Sequence, residues 1–129
     1  MNQSHRAISR LAAFRHAFNG LKYVLRSQRN AWIHTIASSV AILLCIWLNA
    51  TTQESALIIV AIGMVWMAEF LNTALEAVVD LASPDLHPLA RVGKDVGAAA
   101  VLIAAVTAAA IGLLVFSPLI MDKFSMVTH

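Results

Sequence analysis

Five polar residues recur at helical spacing within the stretch AEFLNTALEAVVD, and their types suit catalysis. They are Glu69, Asn72, Thr73, Glu76 and Asp80, and we call them the carboxylate stripe. At about 100° per residue, Glu76 and Asp80 fall within roughly 20° of Glu69 on a helical wheel, so the five share one face. Two acids seven residues apart on one face suit divalent-cation binding and general base catalysis, because Mg²⁺ prefers oxygen ligands.

The setting of this stripe is apolar. Residues 56–68 immediately before it contain no charge, and the whole chain of 129 residues is 60% hydrophobic and 12% charged. Its mean hydropathy of +0.77 indicates an integral membrane protein, and no linker or repeat divides it, so we expect one domain over 1–129. Carboxylates that face lipid are costly, so the stripe should face a protein interior, a cation or a polar cavity.

The pattern predicts an all-α membrane protein with three transmembrane helices. Windows long and apolar enough to cross a bilayer are 31–48, 56–81 and 96–120. We expect the segment before them, 1–30, to contain an amphipathic helix in the membrane surface, with basic residues flanking one apolar side. The alternative for this segment is a solvated basic tail. Its apolar side consists of Leu11, Phe14, Phe18, Leu21 and Leu25.

The basic residues predict an orientation. Six of the nine Lys and Arg residues precede the first span, none lies in the first loop, two lie in the second, and Lys123 is near the end. The positive-inside rule therefore places the N-terminus and the second loop in the cytoplasm and the C-terminus outside. We expect a multi-pass protein of the cytoplasmic membrane.

The second loop carries HPLARVGKDVG, in which Lys94 and Asp95 stand where the third span begins. They meet the membrane border on the same side as Glu76 and Asp80. Taken alone, Lys94 could be an ordinary positive-inside anchor, and His87 a loop hydrogen-bonding residue. Together these residues supply a metal-binding carboxylate, a base and a phosphate-binding cation, which phosphoryl transfer needs. The chain has no Gly-rich nucleotide motif, so a phosphate site must be built from membrane helices.

These motifs closely resemble the prokaryotic diacylglycerol kinase and undecaprenol kinase family of small membrane lipid kinases. The resemblance rests on Glu69-x-x-Asn72-Thr73-Ala74-Leu75-Glu76-x-x-x-Asp80, on HPLAR with Lys94-Asp95, and on GLKYVLRSQRNAWIH at 20–34. It implies a homotrimer whose active sites, assembled at subunit boundaries, transfer the γ-phosphoryl group of MgATP to a lipid hydroxyl. We expect ATP with Mg²⁺, a membrane lipid alcohol and the bilayer as partners, and no nucleic acid.

The resemblance also implies roles for individual residues. Glu69 is similar to the family's catalytic base, which contacts the acceptor, and Asn72 is similar to its polar neighbour. Glu76 resembles a ligand of the metal that travels with ATP, and Asp80 a supporting acid. The nucleotide-binding elements correspond to Glu76 and to Asp85, Leu86, His87, Lys94 and Asp95.

One position departs from the family pattern. The second metal-binding glutamate of the family corresponds to Gln28. An amide oxygen binds Mg²⁺ more weakly than a carboxylate does, and the alternative is a surface glutamine bound to water or to a lipid head group.

The HPLAR loop and the GLKYVLRSQRN segment look more like the undecaprenol kinase branch than the diacylglycerol branch, so undecaprenol is the expected acceptor and diacylglycerol the other candidate. Two further classes remain open. The stripe could line the pore of a small oligomeric ion channel or proton-coupled transporter, or a structural subunit could pair its acids with a partner's bases.

Overall fold

The computed structural model describes residues 10–83 and 87–125, and these ranges form four α-helices. They are α1 (Arg10–Ser27), α2 (Arg29–Trp47), α3 (Thr52–Ala82) and α4 (Pro88–Ser125). The last three are long and apolar enough to cross a membrane. The expected all-helical architecture with three candidate spans is confirmed, and each predicted window falls on one of these helices.

The spans differ in length. At about 1.5 Å per residue, α2 is about 28 Å long, close to the thickness of the hydrocarbon core, whereas α3 and α4 reach about 46 Å and 57 Å. The predicted windows therefore located the apolar parts of α3 and α4, and both helices continue beyond them into more polar sequence.

A single residue, Gln28, separates α1 from α2. Its extended backbone (φ −102°, ψ 119°) breaks the helical path, while its N–H donates to Val24 O at 3.0 Å. Val24 and Ala31 are both buried beside this corner. On the other side of α1, Phe14 and Phe18 are each 67% exposed. These two residues of the predicted apolar side are therefore not covered by the other helices.

The turn between α2 and α3 is shorter than the predicted loop of 49–55. Asn49 takes the left-handed conformation (φ 55°), and Ala50 N donates to Cys45 O at 2.9 Å, as in a Schellman helix end. Thr51 and Glu54 then form a capping box that starts α3. The prediction of a loop up to residue 55 was wrong, because the Thr-x-x-Glu cap starts the helix before the apolar run begins.

The start of the last helix also corrects the sequence interpretation. α4 begins at Pro88, and His87 caps it: Nδ1 accepts a hydrogen bond from Leu89 N at 3.2 Å. Proline has no backbone N–H, and it suits the first position of a helix because an N–H there would have no partner within the helix. Lys94 and Asp95 therefore lie in the second turn of α4, whereas the sequence pattern predicts them at the end of a loop.

The helices pack in an antiparallel order, and α3 is in contact with both α2 and α4. The α3–α4 interface is the most extensive, while α1 packs on the beginning of α2. Small and β-branched side chains fill the interior: Val24, Ala31, Ile58, Ala61, Val65, Val101 and Val115. Most large apolar side chains point outward, as expected of helices that face lipid or other membrane helices.

Candidate active site

Antiparallel packing of α2 on α3 brings polar residues into register along both helices. From the cytoplasmic end predicted by the charge distribution, Gln28 meets Glu76, His34 meets Glu69, and Ser38 meets Trp66. The carboxylate stripe therefore faces the interior of the chain at Glu69, Asn72 and Thr73, which are buried. This orientation agrees with the high cost of exposing carboxylates to lipid.

The first of these contacts is a cluster of two amides around one carboxylate. Gln28 Nε2 donates to Glu76 Oε2 at 3.1 Å, and Asn72 Nδ2 donates to Glu76 Oε1 at 3.0 Å. Both oxygens of Glu76 thus accept hydrogen bonds from neutral amides, and one of these amides belongs to Gln28. Asn72 Oδ1, in contrast, is buried without a hydrogen-bond partner in the described part of the chain.

Close packing by a glycine fixes the position of Asn72. Gly97 is buried in α4, and a Cβ built at this position would overlap Asn72 Oδ1 and lie 3.1 Å from Leu75 Cδ2. Only a glycine allows the backbone of α4 to approach the amide this closely. Gly97 therefore sets the spacing between α3 and α4 at the candidate site.

Glu69 lies deeper between the helices and is the most enclosed acid of the stripe. It is 1% exposed, and its Oε2 is 3.6 Å from His34 Nε2, too far for a hydrogen bond. Its backbone carbonyl accepts from Thr73 Oγ1 at 2.8 Å. The Glu69 side chain therefore keeps a buried oxygen free to accept a proton.

The other end of the stripe is joined to α4 by an ion pair. Lys94 Nζ lies 2.6 Å from Asp80 Oδ1, with both side chains substantially exposed. Exposed ion pairs add little to stability, but this one holds the Lys94 ammonium on the side of α4 that faces α3. The structure thus places the Lys94 ammonium next to the Asp80 end of the stripe.

The remaining predicted nucleotide residues do not all converge on Glu76. Asp95 is a neighbour of Lys94, yet its side chain is 73% exposed and is 3.9 Å from Arg91 Nε on the same helix. His87 uses its Nδ1 to cap α4, as expected of a hydrogen-bonding residue at a loop end. Asp85 and Leu86 lie outside the described residues.

A polar cavity of about 270 Å³ opens beside the amide–carboxylate cluster. Its polar side chains come from α2, α3 and the corner before α2, and α4 closes it with aliphatic residues. The polar lining consists of Gln28, Asn30, His34, Asn72 and Glu76. The cavity has room for a phosphate group together with water molecules.

The same residues can hold only part of a metal's coordination shell. In the described ranges no three His, Cys, Asp or Glu side chains cluster as a metal centre. Glu76 nevertheless offers two oxygens, and Gln28 would offer a third after rotation of its amide. Such a partial set fits a cation whose other ligands are phosphate oxygens and water, as is usual for Mg²⁺ bound with a nucleotide.

Comparison with known proteins decides between the classes left open by the sequence. The family model for prokaryotic diacylglycerol kinase matches residues 15–116. The chain belongs to the prokaryotic diacylglycerol kinase family. It is accordingly a lipid kinase that uses ATP, typically with a metal ion, and the alternative of a channel or transporter is not supported.

Some of the relatives are named undecaprenol kinase and others diacylglycerol kinase. The undecaprenol kinase of Bacillus subtilis strain 168 is 40% identical over 107 residues, which cover 82% of this chain and 86% of that protein. The diacylglycerol kinase of Synechocystis sp. is 39% identical over 103 residues, 79% of this chain and 59% of that protein. The diacylglycerol kinase of Escherichia coli K12 is 39% identical over 93 residues, 67% and 76% respectively.

The sequence pattern does not mark several residues that the fold brings to the site. His34 stands against Glu69, Gly97 against Asn72, and Asn30 lines the polar cavity. A histidine within an apolar span was the available signal for His34. Gly97 lies directly before Ala98, Ala99 and Ala100, where a small residue does not stand out.

Proposed function

We propose that the protein transfers the γ-phosphoryl group of MgATP to the hydroxyl of undecaprenol, with diacylglycerol as the second candidate acceptor. The arrangement of two acids along α3 carries this proposal. Glu69 lies in the apolar part of the helix, and Glu76 lies about 10 Å closer to the polar end, beside Gln28 at the corner before α2. Lipid and nucleotide could meet between them.

In this proposal Glu69 is the general base. Its carboxylate takes the proton of the lipid hydroxyl as that oxygen forms a bond to the γ-phosphorus, and the bond from phosphorus to the bridging oxygen of ATP breaks so that ADP leaves. Burial suits this role, because water is excluded from a group whose Oε2 has no hydrogen-bond partner in the described residues.

Glu76 and Gln28 would hold the Mg²⁺ that accompanies ATP, and the ion would neutralise charge on the phosphate oxygens. Asn72 would orient Glu76 through the bond between Nδ2 and Oε1. Lys94, held by Asp80, would contact a phosphate oxygen. Asp95, His87 and the segment with Asp85 and Leu86 would complete the nucleotide site.

The choice of undecaprenol rests on two segments. The HPLAR sequence at 87–91 and the GLKYVLRSQRN sequence at 20–30 are similar to the undecaprenol kinase branch, and the Bacillus subtilis relative of that name matches most of both chains. Overall sequence identity does not distinguish the two acceptors. The two diacylglycerol kinases are 39% identical to this chain over somewhat shorter matches, and the undecaprenol kinase is 40% identical.

We further propose a single-domain protomer that assembles as a homotrimer in the cytoplasmic membrane, with the N-terminus inside and the C-terminus outside. The extensive exposed apolar surface of α2, α3 and α4 is compatible with contacts to other copies as well as to lipid. In detergent, light scattering corrected for the bound detergent should give three chains per particle; one chain per active particle would refute the trimer.

The acceptor assay tests the proposed activity. Purified protein with MgATP labelled at the γ-phosphate is incubated with undecaprenol or diacylglycerol in matched mixed micelles. The proposal expects label in undecaprenyl phosphate, with a higher kcat/KM than for diacylglycerol. Preference for diacylglycerol would reverse the acceptor assignment, and label in neither lipid would refute transfer to these alcohols.

A further inference from the structure

One side of α1 carries three cations and no acid. Arg15, Lys22 and Arg26 fall within about 40° of one another at about 100° per residue, and we call them the basic row. The first 53 residues of the chain contain no Asp or Glu, so no sequence neighbour neutralises the row. In the part of the chain that the structure describes, none of the three forms an ion pair. Their charges are therefore available to anions from outside the chain.

The acids at the same end of the helices have partners of their own. Asp80 pairs with Lys94 at 2.6 Å, Asp95 lies 3.9 Å from Arg91, and both oxygens of Glu76 accept from amides. Among the described residues, these acids therefore do not balance the charge of α1.

The basic row borders an open groove with apolar walls. This α1–α2 groove has a volume of about 510 Å³ and lies between α1 and the start of α2. Lys22, Arg26 and Asn19 line it, and they also line a polar depression of about 420 Å³ on the far side of the row. The apolar walls of the groove are Phe18, Leu21, Leu25 and Trp32.

The sides of α1 differ in what they contact. On a helical wheel the buried Val24 lies about 180° from the basic row, and the apolar side with Phe18 is centred about 90° from it. Packing against the beginning of α2 thus leaves both the apolar side and the row accessible. A helix with a basic flank beside an apolar side suits the boundary between lipid head groups and acyl chains.

We propose that the α1–α2 groove binds an anionic phospholipid from the membrane leaflet that α1 faces. In this arrangement the lipid phosphate accepts hydrogen bonds from Lys22 and Arg26. The beginning of one acyl chain lies along Phe18, Leu25 and Trp32. A net negative head group satisfies the row, whereas a zwitterionic lipid brings a cation of its own next to these charges.

This lipid site is separate from the proposed phosphate site. None of the residues that line the α1–α2 groove lines the polar cavity beside Glu76. The apolar walls favour a lipid over a free nucleotide or another water-soluble anion, because only a lipid covers them with hydrocarbon. Occupation of the groove requires no phosphoryl transfer, so reassignment of the acceptor lipid leaves this proposal unaffected.

Lipid binding to the purified protein tests the head-group assignment. Native mass spectrometry in a neutral detergent measures the binding of phosphatidylglycerol and phosphatidylcholine with identical short acyl chains. The parent protein should bind phosphatidylglycerol more tightly. Lys22→Gln and Arg26→Gln should each weaken that binding by about fivefold, as expected for one basic residue near an anionic head group. Both should leave phosphatidylcholine binding within about twofold of the parent.

Arg29→Gln is the matched control for charge. Arg29 lies at the start of α2 and lines neither the groove nor the depression, so its substitution removes the same charge nearby. Binding of phosphatidylglycerol should stay within about twofold of the parent. Equal affinity of the parent for both lipids, or an equal loss in Arg29→Gln and Lys22→Gln, would overturn the proposal.

Phe18→Ala tests the place of the acyl chain. It removes apolar surface and no charge, so both lipids should bind more weakly while the preference for phosphatidylglycerol remains. Unchanged binding of both lipids would remove the chain from the groove. A loss of assembled mass in this variant would assign the groove to a contact between copies, and displacement of phosphatidylglycerol by MgATP would assign the row to the nucleotide; either result would overturn the proposal.

Discussion

Gln28 Nε2 lies 3.1 Å from Glu76 Oε2, although 48 positions separate the two residues. The contact exists because Gln28 occupies the corner between α1 and α2 and Glu76 faces α2 from α3. If Gln28 takes the place of the family's second metal-binding glutamate, as the resemblance implies, this pair would carry one negative charge where a two-glutamate site carries two. Coulomb attraction to Mg²⁺ should be weaker in proportion.

The first prediction concerns the metal dependence of this pair. Gln28→Glu should lower the Mg²⁺ concentration needed for half-maximal activity, because it adds a charged oxygen ligand, and Gln28→Ala should raise it. The measurement is a Mg²⁺ titration of both variants at saturating ATP. If both curves overlay that of the parent protein, Gln28 does not bind the metal, and Glu76 holds it without this amide.

The second prediction concerns the close approach of α4 to Asn72. Gly97→Ala places a methyl group against Asn72 Oδ1 and Leu75, so it should lower the free energy of unfolding by about 1–3 kcal/mol and displace the amide that holds Glu76. Activity should fall with it. Thermal unfolding in detergent and kcat at saturating substrates check the two effects.

Gly63→Ala is the matched control for this substitution. It also lies within an apolar helix, but apart from the backbone of that helix and the two chain neighbours, no atom of the described residues lies within 4 Å of a Cβ built at Gly63. This variant should be neutral or slightly more stable, because alanine favours helix more than glycine does. Parental activity and stability in Gly97→Ala would show that the α3–α4 contact does not position Asn72.

The third prediction concerns topology. In a version with Cys45 replaced by serine, Ser125→Cys at the end of α4 should react in intact cells with a membrane-impermeant thiol reagent, because the positive-inside rule predicts that this end is outside. Ser27→Cys at the end of α1 should react only after lysis. The reverse pattern would invert the orientation and remove Lys94 from the cytoplasmic side.

The elements and their order could be predicted because hydropathy reports the length of each apolar run. The helix ends could not be read from hydropathy: the capping box at Thr51 and the cap at His87 depend on single hydrogen bonds in polar sequence. For the same reason Lys94 was placed at a loop end, although it lies on the second turn of α4.

The face shared by Glu69 and Glu76 followed from helical periodicity alone, since residues seven apart lie on one side of a helix. The residues of α2 that contact these two acids could not be predicted from periodicity. Whether Gln28 reaches Glu76 and His34 reaches Glu69 depends on the register of α2 against α3, which no local pattern specifies. Burial of Glu69 likewise depends on how the other helices pack against α3, and the sequence of α3 alone does not determine this.

Single-turnover transfer by the parent protein and by Glu69→Gln shows whether Glu69 takes the proton of the lipid hydroxyl. The substitution removes the base but nearly preserves its shape, so transfer of the labelled γ-phosphoryl group to undecaprenol should slow by about a hundredfold or more. Binding of MgATP and the assembled mass should remain those of the parent. A rate for Glu69→Gln near the parental rate would contradict the assignment of Glu69 as the base that accepts the lipid's proton.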